Sequence, residues 1–145
     1  MRKSFITGAI AAFLLSVGIA ASAQTVQTVQ KTPEQVAQAL VDAANARDID
    51  GILKTYAADS TAYALPSGEV ILKGHEALRK KFERILAPTV KLKVEIVTRI
   101  VDGKFVIDKE RISGTSDGKP VEFYGTVIYE IVDGLIRREW YPRQE

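Results

Sequence analysis

The chain has no cysteine and a single histidine, His75. Disulfides and an N-terminal lipidated cysteine are therefore excluded, and the fold must stand on its core alone. A zinc-type centre and a thiol or Ser–His nucleophile system lack their usual residues, so no metal and no cofactor is expected. Neither sign of charge predominates: 20 basic residues face 18 acidic ones. No Lys/Arg run with interleaved aromatics is present, as a nucleic-acid groove would need. The longest apolar stretch, Phe5 to Ala20, is shorter than the ~20 residues that cross a bilayer.

That stretch reads instead as the middle of an export signal. Arg2 and Lys3 precede it, and Ala21-Ser22-Ala23 offers small residues for cleavage. A signal peptide over 1–23 implies a periplasmic or secreted protein without stable membrane insertion. Cleavage after Ala23 removes two positive charges and leaves a neutral chain of about 120 residues, enough for one domain with one core. Residues 24–31 are polar and Gln/Thr-rich, as in a flexible leader. The domain is expected over 32–145.

Helical spacing comes first. Thr32-Pro33-Glu34-Gln35 is a helix start with a capping box and proline where its missing N–H does no harm. Val36, Leu40, Val41 and Ala44 then share a face. Asp48 caps a second helix with Ile49, Ile52, Leu53 and Tyr56 inward. A short arm over Asp59–Ala64, a turn at Pro66-Ser67-Gly68 and a strand over Glu69–Leu72 lead to a third helix from His75 to Leu86. Its inward residues are Leu78, Phe82, Ile85 and Leu86.

Strands fill the rest. Asp102-Gly103, Asp117-Gly118 and Asp133-Gly134 are hairpin signals, because both residue types tolerate positive φ. They separate segments rich in Val, Ile, Tyr and Phe. Val90, Leu92, Val94 and Ile96 alternate cleanly before Val97 breaks the phase, as a bulge would. The segment Pro120–Val132 is apolar on both faces, which points to a core on one side and a partner on the other. The expected fold is α+β: three N-terminal helices packed in a strongly curved antiparallel sheet, a cone-shaped barrel with a pocket inside.

The wording Asn45-Ala46-Arg47-Asp48-Ile49-Asp50-Gly51-Ile52, then Tyr56-Ala57-Ala58-Asp59, then Gly74-His75-Glu76-Ala77-Leu78, resembles the SnoaL-like branch of the nuclear transport factor 2-like superfamily. Val132-Asp133-Gly134-Leu135-Ile136 is similar to that family's last hairpin. The resemblance implies a curved sheet wrapped on three helices and a homodimer through the outer sheet face. It leaves function open, since the family holds isomerases, cyclases, epoxide hydrolases, dehydratases and binding modules.

Two templates from the resemblance are testable by residue. Ketosteroid isomerase needs a carboxylate base, a Tyr and a protonated Asp; Ala64 falls at the base, Leu40 at the Tyr and Val127 at the Asp, and none handles a proton. A slip of one residue brings Tyr63 near the base, but tyrosine is a poor base at neutral pH. Limonene-epoxide hydrolase needs two acids bridged by an Arg. Arg111 matches, Ser113 replaces the first acid, and Tyr141 falls near the second with Glu139 two residues earlier. Glu139 and Arg111 remain as candidate catalytic residues for a non-standard isomerase or hydratase.

Alternation places Arg111 on a face with Ile107 and Lys109, opposite Asp108, Glu110 and Ile112; which face is inward stays open. Candidate ligand-binding residues are Tyr56, Tyr63, Phe82, Arg111, Val127, Tyr129, Glu139 and Tyr141, a mixture suited to a flat, mostly apolar small-molecule ligand. The leading expectation is a binding pocket whose lining lacks a proton-shuttling set. The alternatives are the enzyme just described and an interaction module with a vestigial cavity.

Overall fold

The computed structural model describes residues 30–143. The export signal and all but the end of the leader lie outside the described residues. The first helix, α1 (Pro33–Asn45), begins with the capping box: Gln35 N donates to Thr32 Oγ1 at 3.2 Å and Thr32 N to Gln35 Oε1 at 3.0 Å. Val36, Ala37, Leu40 and Val41 are buried along its inner face. It ends at Arg47, whose φ is 60°. The Arg47 guanidinium donates to the carbonyls of Leu86, Ala87 and Val90, tying the helix end to the loop that follows the third helix.

Asp48 caps α2 (Ile49–Leu53) by accepting from Gly51 N at 2.8 Å. The helix is shorter than its apolar spacing suggests. Thr55 turns back, its hydroxyl donating to Ile52 O at 2.7 Å, and a threonine that bonds its own backbone favours a helix end. Tyr56 thus starts β1 (Tyr56–Leu65) instead of facing inward from a helix. β2 (Val70–Lys73), α3 (Gly74–Ile85), β3 (Val90–Asp102), β4 (Phe105–Ser116), β5 (Lys119–Val132) and β6 (Leu135–Pro142) complete the chain.

The sheet is curved and unclosed, in the order β2-β1-β6-β5-β4-β3. All pairs are antiparallel except β1 with β6, which run parallel. The sheet expected as antiparallel is so in four of its five strand pairs, and departs from it at β1–β6. No tight turn joins β1 to β6, so no hairpin dictates their relative direction. Asp117-Gly118 and Asp133-Gly134 each form two-residue turns with positive φ at both positions. At the first pair the turn falls one residue later, on Gly103-Lys104, with Asp102 paired to Phe105.

Two features bend and fix the edge strand. The register of β3 on β4 shifts between Ile96 and Thr98, leaving Val97 as the bulge. The Asn45 side chain bonds both the N–H and the C=O of Val94, at 2.8 and 2.9 Å, so α1 covers part of that edge.

The helices pack on the inner face, and the core joins Val36, Leu40, Ile52, Leu78 and Phe82 to Val106, Val127, Ile131 and Ile136. On the outer face a single row of apolar residues crosses all six strands in register: Ile100, Ile107, Ile128, Trp140, Tyr63 and Val70. The two ends of this row, Ile100 and Val70, are 55% and 52% exposed. The Tyr63 and Trp140 rings stack at 5.9 Å between centroids.

Candidate functional site

Strand alternation decides which side chains reach the interior. On β4, Val106 and Asp108 are fully buried, and Glu110 and Ile112 continue the same phase inward. On β5, Phe123, Val127 and Tyr129 face the helices, and on β6 Glu139 and Tyr141 do so. With Tyr56 of β1, Leu92 and Val94 of β3, and residues from α1 and α3, they enclose a cavity of about 370 Å³. Leu40, Val41 and Ala44 form the α1 wall; Lys81, Phe82, Ile85 and Leu86 form the α3 wall. Ile85, expected inward, sits partly exposed at this wall.

The walls are apolar and the polar groups are few. The Glu139 carboxylate, 2% exposed, is held by two phenols. Tyr56 Oη donates to Oε1, and Tyr141 Oη donates to Oε2 at 3.0 Å. Lys81 Nζ donates to Tyr141 Oη at 2.7 Å and lies 4.7 Å above that ring. A chain of donors therefore runs from a cation through a phenol to a buried carboxylate. Burial above all, with the charge of Glu139 next, pushes the Tyr56 and Tyr141 hydroxyls well above the usual phenol range. Both stay protonated and donating at neutral pH.

Glu110 is differently placed. Its only partner among the described residues is Tyr129 Oη, at a long 3.4 Å to Oε1. Burial, then the charge of Asp108, raises the Glu110 carboxyl from its ordinary 4.5 to about 7, against a lowering by the Tyr129 bond. The charge of Glu139 adds to the rise. Asp108 is compensated by Arg99, which also donates to Gln38 Oε1 at 2.9 Å.

Of the residues that the sequence nominates, Tyr56, Phe82, Val127, Tyr129, Glu139 and Tyr141 line the cavity. Arg111 and Tyr63 do not. Arg111 lies on the outer face between Glu95 and Glu122, 2.9 Å from each. Tyr63 lies on the same face against Trp140. The candidate pair Glu139 and Arg111 is therefore split across the sheet. Among the described residues, Arg99 is the arginine that turns inward from the sheet, toward the buried Asp108.

Glu110 is the residue that sequence reasoning passed over; with it the lining carries two carboxyl groups, where the sequence nominated Glu139 alone. Its direction was encoded. The apolar face of β3 carries Val94 and Ile96, and across the hairpin these pair with Ile112 and Glu110. Reaching that register requires the Asp102–Phe105 pairing and the Val97 bulge together; either alone leaves the face of Glu110 ambiguous. His75 is half-buried, one ring nitrogen 3.0 Å from Tyr56 O, and so belongs to the α3–β1 contact. Among the described residues no group of three or more His, Cys, Asp or Glu is placed to hold a metal ion.

Residues 37–139 match the SnoaL-like domain family. No curated protein matches the chain. Among solved structures, a cystatin-fold protein from Novosphingobium aromaticivorans superposes with TM-score 0.68 at 23% identity, over 78% of this chain and 99% of its own. A SnoaL-like polyketide cyclase candidate from Jannaschia sp. CCS1 gives TM-score 0.64 at 16% identity, covering 75% and 83% of the two chains. An LEH-like epoxide hydrolase from M. tuberculosis gives 0.63 at 19% identity, over 75% and 81%. At such identities the likeness is one of fold.

Proposed function

Because this chain belongs to the SnoaL-like domain family, we propose that its cavity binds a small, largely apolar or aromatic molecule bearing one polar end. The observation that carries this reading is the cavity itself. About 370 Å³ of space has aliphatic and aromatic walls and a small set of oriented polar groups at Glu110, Glu139 and their tyrosines. Pockets of this size and make-up suit compact ring compounds, with the walls supplying affinity and the polar groups orientation. A thermal-shift screen of small aromatic compounds tests it. Binders should raise the melting temperature of the wild type and lose that effect when Val127→Trp fills the cavity; binders indifferent to that change would place binding elsewhere.

A second reading, a proton-transfer enzyme of the isomerase or hydratase type, is favoured by one pair of facts. Glu110 titrates near neutrality, whereas Glu139 is fixed by two phenols. Two carboxyl groups with such unlike surroundings divide acid and base roles naturally. In this reading Glu110 moves the proton, and Tyr56 and Tyr141 orient Glu139. Turnover of any bound compound should vanish in Glu110→Gln with binding retained. Equal turnover in that variant would end the reading.

Two further elements of the proposal rest on the sequence and the outer face. Arg2, Lys3, the apolar Phe5–Ala20 and Ala21-Ser22-Ala23 support export to the periplasm or beyond. The in-register apolar row from Ile100 to Val70, bordered by the Arg111 and Glu130 ion pairs, supports a homodimer through the outer sheet face.

A further inference from the structure

The polar groups of the cavity are unequally satisfied. Glu139 has both oxygens taken by phenols, and Lys81 backs one of them. Asp108 has Arg99 on both of its oxygens. Glu110 has one long bond from Tyr129 to Oε1, and among the described residues nothing donates to Oε2. No cation bonds it. A carboxyl on a cavity lining with an unused oxygen is a place where a ligand donor fits without displacing a protein partner.

What surrounds that oxygen narrows the donor. Phe82, Phe123, Tyr129 and Tyr141 line the same space. Lys81 Nζ already lies over the Phe82 and Tyr141 rings, at 5.4 and 4.7 Å, which leaves Phe123 and Tyr129 as the rings whose electron-rich faces can attract a second cation. An anionic ligand would meet Glu110 and Glu139 with Lys81 alone to offset them, and Lys81 already serves Tyr141. A cationic ligand would complete the charge pattern that Arg99 completes for Asp108. An ammonium also makes short, charge-assisted bonds to a carboxylate in a site that water shares poorly.

We propose that the preferred ligands of this cavity are small amines with an aromatic or aliphatic body, the ammonium paired with Glu110 and the body lying against Phe82, Phe123 and Tyr129. The proposal rests on the pocket reading above and specifies its ligand class. It carries a signed pH dependence. An ammonium needs the ionised carboxylate, which becomes the majority form as pH rises past about 7. A neutral acceptor such as a ketone or alcohol would prefer the protonated acid, and its affinity would fall over the same range.

The test is calorimetric titration of the full chain with 2-phenylethylamine and with 2-phenylethanol, at pH 6 and pH 8. The two probes share size and shape, and the amine is a cation at both pH values. The amine should bind more tightly than the alcohol, and about tenfold more tightly at pH 8 than at pH 6, as the ionised fraction of one group with a pKa near 7 dictates. In Glu110→Gln, measured at pH 8, the amine should lose about tenfold or more in affinity, and its pH dependence should disappear, while the alcohol binds at least as tightly as it does to the wild type. That retained binding shows the variant to be folded with an intact cavity. Equal binding of the two probes, or amine affinity that falls with pH, would overturn the amine assignment and leave the pocket reading standing. Failure of both probes to bind would overturn both.

Discussion

Arg99 and Asp108 are partners across β3 and β4, and two parallel hydrogen bonds of 2.7 Å join guanidinium to carboxylate on the inner face of the sheet. Asp108 has no exposed surface. Removing the arginine would strand a buried charge, a loss of about 3–5 kcal/mol. Arg99→Leu should therefore lower the urea midpoint sharply. The double variant Arg99→Leu, Asp108→Leu should recover most of the stability, since replacing both ions removes the stranded charge. A double variant as unstable as the single one would show that the pair matters for its shape and not for its charge.

The Glu110 carboxyl gives stability a pH slope of its own. Its folded pKa of about 7 lies above the ordinary 4.5, so the folded state binds the proton more tightly than the unfolded chain. The contribution favours folding at low pH and is lost as pH rises from 4.5 through 7, a change of at most about 3 kcal/mol. Melting curves of wild type and Glu110→Gln across pH 4.5–8 should diverge upward in pH, with the variant gaining relative to the wild type. Parallel curves would mean that Glu110 is not desolvated.

Gly114 sits on β4 opposite Leu92 of β3, with the β3 backbone close against it. Its φ is 146°, and a Cβ built there would lie 2.0 Å from Lys91 O. The backbone, not a flexible side chain, is in the way. Gly114→Ala should cost about 2–3 kcal/mol, whereas Gly118→Ala, in a turn with open space, should cost only about 1 kcal/mol for its positive φ. Chemical denaturation of the two variants side by side checks the order.

Ile107 and Ile128 are adjacent in the row that crosses the outer face. If that row is the seam of a homodimer, Ile128→Lys should shift the protein from dimer to monomer in light scattering with little change in its circular dichroism. A wild-type chain that is already monomeric at high concentration would rule the seam out.

The elements that local chemistry specifies were legible in the sequence. The Thr32–Gln35 capping box, the Asp48 cap, the Val97 bulge and the turns at Asp117-Gly118 and Asp133-Gly134 all act within a few residues. What escaped depends on residues far apart in the chain. The parallel pairing of β1 with β6 has no turn to announce it. The outward course of Arg111 and the inward course of Glu110 follow from a register that accumulates along a whole hairpin. Tyr63 faces outward because Ala62 takes the inward place on β1, and its partner there, Trp140, lies 77 positions away in sequence. Six of the eight nominated ligand-binding residues do line the cavity, because strand alternation and helical spacing sort faces well once one residue per element is anchored.

The strand that carries Glu139 is also the keystone of the assembly order. β6 lies between β1 and β5, and Ile136 N bonds back to Thr55 O. A nascent chain that stops short of Leu135 holds the β1–β2 hairpin and the β3–β4–β5 meander with no strand between them, so only helix packing can join the two. A continuous sheet must await the C-terminal strand, so the tyrosine-held carboxylate and the cavity around it come into being in the same event that unites the two parts of the sheet.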